Sequence, residues 1–280
     1  MDRRRFVATL AAVALARGGG WAVEPHRIQK IGVQLYTVRD LLAKDFEGTL
    51  REVAKIGYKE VEFAVYLADV AHLTPPPKRV REILDSLGLF APSSHVPYSA
   101  LSRETWPRVL EASAALGHSY IVNPAIDRDL AKRADGWKQA AETFNRAGRE
   151  SSRSGIQLAY HNHTEEFMPV QGKLPYDILL SECDASLVKM EMDLGWAHVA
   201  KADPFEYFAK YPGRFPLVHV KDFDKDGTMT EVGRGIIDWK AIFSKSEQAG
   251  IKHYFVEHDQ PKAPIESIRT SYAYLERLRF

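Results

Sequence analysis

The sequence has little cysteine and almost no net charge. Its 280 residues include one cysteine, Cys183, which rules out an internal disulfide. Because Cys183 lies in a plain helical pattern, YDILLSEC, a cysteine-based catalytic site is not expected. The formal net charge of +1 gives no electrostatic footprint for nucleic acid or for an anionic membrane surface. Nucleic acid and membranes are therefore not expected as partners.

The apolar run near the N-terminus is not long enough to cross a membrane. It extends from Phe6 to Ala16 and follows an arginine cluster in MDRRRFV. This order is typical of a twin-arginine signal, which directs export of a folded protein. We therefore expect residues 1–25 to be a signal peptide, residues 26–280 to be the folded domain, and the protein to be periplasmic. The alternative is a disordered basic tail on a cytoplasmic protein.

A glycine-rich phosphate turn is also missing. From Ile31 onward the chain alternates eight short apolar runs with eight amphipathic helical patterns, which indicates parallel strands joined by helices. An open doubly wound sheet would carry glycines after its first strand, and QLYTVRD has none. With no linker rich in proline, glycine or serine, the sequence predicts an α/β fold, a single-domain (β/α)8 TIM barrel.

Polar side chains end the predicted strands, where the chemistry of such barrels is located. These strand-end residues are Gln34, Tyr36, Arg39, Glu60, Glu62, His95, Asn123, His161, His163, Glu191, Asp193, His219, Lys221, Asp222, Glu257 and Asp259. Asp193, His219, Glu257 and one group from strand five would supply three or four nitrogen and oxygen ligands. Such a set suits Zn²⁺, Mn²⁺ or Co²⁺, and its imidazole argues against a pure Ca²⁺ or Mg²⁺ cage.

Four motifs in the second half of the chain carry a family resemblance. EMDLGWAHVAKADP, GRFPLVHVKD, GRGIIDW and YFVEHD, in this order, resemble the xylose-isomerase-like barrel superfamily of sugar (phosphate) isomerases and epimerases. The likeness covers about residues 28–280, and the superfamily also contains an endonuclease branch for abasic sites. In that family a Glu, an Asp, a His and a Glu on strands five to eight bind one divalent metal. The resemblance thus implies Asp193, His219 and Glu257 as metal ligands.

Strand five departs from the family pattern. Most relatives have Glu-x-His there, whereas this chain has His161-Asn162-His163. His163 matches the family histidine and His161 stands at the Glu position, so His161 is the expected fourth ligand. Glu166 is the alternative if its loop folds back. The subgroup resembled, exported and with this HNH motif, includes uncharacterised members and enzymes that act on keto glycosides.

The resemblance implies a divalent-metal-dependent isomerase or epimerase that acts on a keto-sugar through an enediolate. Glu257 would remove the proton, His163, His161 or Glu166 would return it, and Lys221 would bind a substrate oxygen. Two alternatives stay open: a metal-dependent lyase or hydratase on oxidised (3-keto) glycosides, and a non-catalytic sugar-binding protein. A DNA-repair nuclease is disfavoured by the net charge and the signal. The sugar, the metal and the oligomeric state are not specified by the sequence.

Five further residues are expected to contact a carbohydrate. Tyr36 and Trp196 would offer a sugar an apolar face. Arg234, between strands seven and eight, would bind a phosphate or hydroxyl group or else form a loop salt bridge. His95 would contact substrate or hydrogen-bond within the core, and Glu62 would lie on the substrate side or at the rim of the barrel.

Overall fold

Eight parallel strands form the central sheet of the computed structural model, which describes residues 26–64, 66–69 and 72–280. The eight are β1 Ile31–Gln34, β2 Glu60–Phe63, β3 Phe90–Ser94, β4 Tyr120–Asn123, β5 Gln157–His161, β6 Val188–Asp193, β7 Leu217–Val220 and β10 His253–Val256. Between β7 and β10, a two-stranded hairpin pairs β8 Asp222–Phe223 with β9 Met229–Thr230. The predicted signal peptide, residues 1–25, lies outside the described residues and stays a prediction.

Helices connect the strands on the outside of the sheet. They are α1 Arg39–Leu42, α2 Phe46–Ile56, α3 Pro77–Ser86, α4 Trp106–Leu116, α5 Arg128–Ala131, α6 Ala134–Ser152, α7 Pro175–Glu182, α8 Leu194–Val199, α9 Pro204–Lys210, α10 Trp239–Phe243, α11 Ser246–Ala249 and α12 Pro264–Arg277. Short local signals set their ends. For example, the Asp45 side chain accepts a hydrogen bond from the Gly48 N–H at the start of α2, and Gly57, with a φ of 126°, follows its last residue.

The sheet closes on itself. Its strand order is β3-β2-β1-β10-β7-β6-β5-β4, and the two end strands are joined by a parallel bridge between His95 and Val122. The Val96 N–H also donates to the Val122 carbonyl at 2.8 Å. Closure removes the exposed sheet edges, as expected for a barrel. The predicted single-domain (β/α)8 barrel is confirmed.

Strand periodicity stacks an apolar layer beneath a polar one inside the barrel. Side chains two residues apart on a strand face the same side. Three strands carry an apolar residue two positions before a polar one, in the pairs Ala159 and His161, Leu217 and His219, and Phe255 and Glu257. Together with Tyr120 and Val122, the three apolar members form a buried cluster that joins β4 and β5 to β7 and β10 across the barrel. This cluster is the floor of the site.

Asp222 holds together the segment that follows the hairpin. Its carboxylate accepts hydrogen bonds from the backbone N–H groups of Gly233 (2.9 Å), Gly235 (3.3 Å) and Ile237 (3.3 Å) and from the Trp239 indole (2.9 Å). A fully buried carboxylate is stable where donors surround it in this way. Asp222 therefore fixes the loop before α10 rather than lining the mouth of the barrel.

No helix in the described part of the chain combines the length and apolar character needed to cross a membrane.

His118, between α4 and β4, predicts a pH dependence of stability. It is 5 % exposed, and neither ring nitrogen has a hydrogen-bond partner among the described residues. Burial lowers its pKa from 6.5 to about 3. Between these pH values the imidazole is therefore protonated in the unfolded chain and neutral in the folded chain. The free energy of unfolding should therefore fall as pH drops below 6.5, by about 2 kcal/mol at pH 5 from this group alone.

Denaturant titrations of the wild type and His118→Leu at pH 7.5 and pH 5 measure this contribution. The variant should lose less stability than the wild type on acidification, while the exposed His198→Gln should behave like the wild type. An equal loss in His118→Leu and the wild type would contradict the assignment.

Candidate metal centre and active site

Polar side chains from five strands meet above the apolar floor, at the carboxyl ends of the strands. β2, β5, β6, β7 and β10 bring together Glu62, His161, Glu191, Asp193, His219 and Glu257, all of them buried. The ring of Phe255 lies edge-on beneath the His219 imidazole, with the ring centroids 6.1 Å apart. The strands and the floor thus fix this cluster from below.

One half of the cluster faces outward and contains the ligands predicted from the sequence. His219 Nδ1 lies 2.7 Å from Glu257 Oε2 and 3.9 Å from Asp193 Oδ2. His161 Nε2 lies 3.8 Å from the same Asp193 oxygen. We call His161, Asp193, His219 and Glu257 the outer set.

Local hydrogen bonds aim Asp193 into the outer set. Its Oδ1 accepts from the Trp196 N–H at 2.8 Å and caps α8, which leaves Oδ2 pointing inward. Asn162 holds the backbone of Asp193 through two hydrogen bonds, of 3.1 Å to its N–H and 3.3 Å to its carbonyl. The middle residue of the HNH motif therefore positions a neighbouring strand rather than the substrate.

The other half of the cluster lies mostly beneath the outer set. The sequence predicted substrate-side positions for Glu62 and His95, with the barrel rim and the core as their alternatives, and gave Glu191 no role beyond a strand end. Glu191 Oε2 lies 2.7 Å from His95 Nε2, 3.0 Å from His161 Nδ1 and 3.2 Å from His219 Nε2. Glu62 Oε2 lies 2.7 Å from His219 Nε2 and 3.2 Å from His95 Nε2. We call Glu62, His95 and Glu191 the inner set. Its carboxylates contact His161 and His219, which belong to the outer set.

Gln34 completes the inner set from β1. Its amide nitrogen donates to Glu62 Oε2 at 2.8 Å, and its amide oxygen accepts from the Tyr36 N–H at 3.2 Å. The strand-end position of Gln34 marked it as inward-facing. Its partner was not predictable, because that depends on how far β1 and β2 are staggered.

Lys221 supplies the ammonium of the cluster. Its Nζ lies 2.9 Å from Glu257 Oε2, 3.2 Å from Asp193 Oδ2 and 2.8 Å from Asp259 Oδ1. Gly195 allows α8 to pack this closely against Lys221, because a Cβ at Gly195 would lie 2.5 Å from the Lys221 Cβ. Burial works against the charged lysine, but the three carboxylates outweigh it and hold its pKa well above the usual range.

The pKa shifts follow from burial and from this pairing. Burial raises the pKa of Asp193 to about 6, against the opposing pull of Lys221 and His219. For Glu257 burial also acts upward, but Lys221 and His219 outweigh it and hold the pKa well below its usual range. Burial and the neighbouring His219 hold the pKa of His161 well below the usual range. The His161 imidazole is therefore neutral and has a lone pair to offer to a cation.

The pKa of His95 shifts upward, opposite to that of His161. Burial alone would lower its pKa, but the carboxylates of Glu62 and Glu191 raise it to about 9. His95 is therefore a cation at neutral pH and offsets part of the negative charge of the inner set.

The residues present fit a divalent cation. Glu62, Glu191, Asp193 and Glu257 are buried carboxylates, and Lys221 together with the imidazoles of His95 and His219, whose pKa values the carboxylates raise, offsets their four formal charges only in part. Buried carboxylates in this number are stable only when paired or bound to cations. Glu62 Oε1 and Glu191 Oε1 also have no hydrogen-bond partner among the described residues, and Asp193 Oδ2 is approached by the Lys221 ammonium at 3.2 Å. Asp193, His219 and Glu257 place ligand atoms within 4.8 Å of one another, as a metal site requires.

A cavity of about 320 Å³ opens above the outer set. Of the residues predicted to act on substrate, five line this cavity: Tyr36, His95, His163, Lys221 and Glu257. His161 and Asp259 also reach its wall. Its size lies at the small end of the range of ligand pockets, about 300–1,000 Å³, and suits a single sugar ring.

The structure places four other predicted residues away from the cavity wall. Glu166 folds under β5, where its carboxylate accepts from the Tyr160 hydroxyl at 2.6 Å and from the His163 N–H at 2.7 Å. Both of its oxygens are engaged, so the loop does not return Glu166 to the outer set. Arg234 is exposed and pairs with Glu231 at 3.2 Å, the loop salt bridge that was the alternative for it.

Glu62 and Trp196 also lie away from the cavity wall. Glu62 is fully buried in the inner set instead of lying at the rim. The Trp196 ring packs against Phe223, with centroids 5.6 Å apart, and lies 5.1 Å from Lys221 Nζ. Trp196 thus supports the lysine through a cation–π contact rather than forming the cavity wall.

Comparisons with known proteins agree with this architecture. The family model described as a xylose isomerase-like TIM barrel matches residues 50–278. A solved sugar phosphate isomerase/epimerase from Parabacteroides distasonis ATCC 8503 is 30 % identical, with a TM-score of 0.80, over 90 % of this chain and 94 % of that one. The IolI protein, solved with a zinc atom, is 17 % identical with a TM-score of 0.65 over 87 % of this chain and 95 % of that one, which shows the fold alone.

The curated relatives match a shorter region. An inosose dehydratase from Lacticaseibacillus casei is 27 % identical over 164 residues, which is 51 % of this chain and 54 % of that protein. This chain therefore spans about half the length of the curated relatives that it matches. From the family match and the closed eight-stranded barrel, we conclude that the chain belongs to the xylose isomerase-like TIM barrel family.

Proposed function

We propose that this protein is a divalent-cation-dependent enzyme that removes the proton next to the carbonyl of an uncharged keto-carbohydrate and then eliminates a β-substituent such as water. One observation carries the proposal. The cavity presents a carboxylate, Glu257, and an imidazole, His163, from strands that are separated by two others. A base and a proton-transferring group on two sides of a small cavity serve the proton removal with which an elimination begins.

The outer set is the proposed cation site. His161, Asp193, His219 and Glu257 would hold Zn²⁺, Mn²⁺ or Co²⁺. When bound, the cation supplies Lewis-acid polarisation of the substrate carbonyl. His161 is proposed as the fourth ligand in preference to Glu166, because its Nε2 faces Asp193 at 3.8 Å while both Glu166 oxygens are bonded elsewhere.

The remaining steps belong to side chains that line the cavity. Glu257 accepts the proton, and the electron pair of the C–H bond moves toward the carbonyl. The electron pair then returns from the enolate oxygen to form the C=C bond as the C–O bond to the β-hydroxyl breaks. His163 relays the proton taken up by Glu257 to the departing hydroxyl, which leaves as water. Lys221, held by Glu257 and Asp259, orients a substrate oxygen, and Tyr36 offers an apolar wall to the ring.

His161 is the reason that elimination is favoured over symmetric epimerisation. The resemblance implies a glutamate at this position in most relatives, where it can serve as a second carboxylate base. Here imidazole takes that place, and Glu166 does not restore the carboxylate. The names of the curated relatives, inosose dehydratases, support the same choice.

Epimerisation or isomerisation is the second candidate. It shares the proton-abstraction step and differs only in that His163 returns a proton to carbon. The specific observation in its favour is the similarity to the sugar phosphate isomerase/epimerase over most of both chains.

An uncharged substrate is proposed because of the charges around the cavity. Both cations on its described wall are paired with carboxylates. Lys221 contacts three of them at 2.8–3.2 Å, and the protonated His95 lies 2.7 Å from Glu191 and 3.2 Å from Glu62. The exposed Arg234 pairs with Glu231 and does not line the cavity. A phosphate dianion would instead lie near the carboxylates of Glu257 and Asp259, and like charges at close range are unfavourable.

Substitution of Glu257 tests the proposed base. In protein stripped with a chelator and reloaded with Mn²⁺, Zn²⁺ or Co²⁺, Glu257→Gln should lower kcat by about 10²–10⁴-fold, the usual contribution of a general base. Incubation of keto-inositols and 3-keto sugars in D₂O, followed by NMR and ultraviolet absorbance, should show loss of water and an unsaturated ketone.

The exposed Glu104→Gln is the matched control and should keep wild-type activity. Deuterium next to the carbonyl without loss of the β-substituent would replace elimination by epimerisation. Full turnover by Glu257→Gln, or by the metal-stripped wild type, would overturn the proposal.

A phosphate group on the substrate tests the proposed substrate class. For a keto-sugar and its phosphate ester, kcat/KM should be at least about tenfold higher for the uncharged compound, because a phosphate meets Asp259 and Glu257 and finds no unpaired ammonium or guanidinium on the described wall. Competition kinetics with both compounds in one reaction measure the ratio directly. A preference for the ester would contradict the proposed substrate class.

A further inference from the structure

The inner set has no part in the chemistry described above, yet its carboxylates touch both histidines of the outer set. Glu191 and Glu62 are fully buried and are not on the cavity wall. Glu191 Oε2 lies 3.0 Å from His161 Nδ1, and Glu62 Oε2 lies 2.7 Å from His219 Nε2. His95 joins the two carboxylates, at 2.7 Å from Glu191 and 3.2 Å from Glu62.

The imidazoles of His161 and His219 each direct one ring nitrogen to the outer set and the other to a carboxylate of the inner set. His219 presents Nδ1 to Glu257 and Asp193 and Nε2 to Glu62. His161 presents Nε2 to Asp193 and Nδ1 to Glu191. The two rings are therefore used in opposite senses: the outward nitrogen is Nδ1 in His219 and Nε2 in His161.

A neutral imidazole carries one N–H, and the hydrogen bond made by one nitrogen decides which nitrogen keeps the lone pair. If the inner nitrogen donates its proton to a carboxylate, the outer nitrogen is free to bind a cation. Carboxylates that accept from ligand histidines in this way also fix the plane of the ring.

We propose that Glu62 and Glu191 are positioning residues that hold His219 and His161 in opposite tautomers, so that a single divalent cation binds on the outer set. This inference rests on the proposed cation site and adds the reason that both histidines present lone pairs to it. It makes the inner set a support for the cation rather than a second cation site.

A second cation beside the inner set would compete with the first for the same two imidazoles. His95, His161, Glu191 and His219 also lie close enough together to hold an ion. A cation there would take the inner nitrogens of His161 and His219. Both rings would then have to bridge two cations after losing their last ring proton, or the outer set would lose its imidazoles.

Two variants and a matched control test the proposal. Glu191→Gln and Glu62→Gln keep the side-chain shape but remove the charge that accepts the imidazole protons. Glu60→Gln is the control, because Glu60 is a buried carboxylate on the same strand whose partner, His253 at 2.8 Å, lies outside both sets. Isothermal titration with Zn²⁺ should give one site in every protein, with Kd raised about 10–100-fold in the two inner variants and unchanged in Glu60→Gln.

A measurement on the wild type covers the case in which an inner variant does not fold. ¹⁵N-histidine NMR of the Zn²⁺-loaded protein should show a protonated Nδ1 with a metal-bound Nε2 in His161, and a protonated Nε2 with a metal-bound Nδ1 in His219.

The outcomes separate this inference from the proposed function. Unchanged Zn²⁺ affinity in both inner variants, the reverse tautomers, or two Zn²⁺ ions in the wild type would overturn the positioning role even if turnover is as proposed. One ion with the expected tautomers but no turnover of keto-carbohydrates would support the positioning role while the proposed reaction fails. A wild type that binds no Zn²⁺ would overturn both.

Discussion

The structure depends on one electrostatic constraint: the carboxyl end of the barrel buries more negative than positive charge. Glu62, Glu191 and Asp193 are fully buried, Glu257 is buried except where it lines the cavity, and Lys221 contacts Asp193 and Glu257. An unpaired buried charge costs several kcal/mol, so the cluster needs further positive charge. The protonated His95 supplies part of it, and a divalent cation would supply the rest.

The barrel satisfies this constraint with little adjustment of its backbone. Because side chains two apart share a face, each of three strands contributes one apolar floor residue and one polar residue above it. The floor keeps water out from below and the surrounding carboxylates and imidazoles orient one another. Specialised backbone contacts are few: Asn162 fixes the end of β6, and Gly195 admits Lys221. The site is therefore mainly a product of strand register.

The barrel and most of its cation-binding residues can be predicted from the sequence because strand ends are easy to locate. The eight runs predicted the barrel, and the order of Asp193, His219 and Glu257 predicted which groups would meet. The role of Glu191 was missed although EMD shows that Glu191 and Asp193 share a face. A carboxylate that accepts from histidines and one that binds a cation have the same sequence pattern, and only the distances between strands separate them. Glu62 was predicted on the substrate side or at the rim for the same reason.

Loops were predicted less well than strands. The hairpin of β8 and β9 and the hydrogen bonds of Asp222 turn Arg234 outward, and no local pattern around GRGIIDW reveals this. The sequence left Glu166 as an alternative ligand. Its two hydrogen bonds, to Tyr160 and to the His163 backbone, hold its carboxylate away from the outer set. Both cases depend on contacts between residues that lie on opposite sides of a turn, where spacing along the chain carries little information.

Anomalous diffraction from crystals of the protein grown with Mn²⁺ or Zn²⁺ tests the central claim most directly. The account predicts one strong peak, within bonding distance of His161 Nε2, Asp193 Oδ2, His219 Nδ1 and Glu257. A peak among His95, His161 Nδ1 and Glu191 instead, or no peak at this end of the barrel, would contradict it.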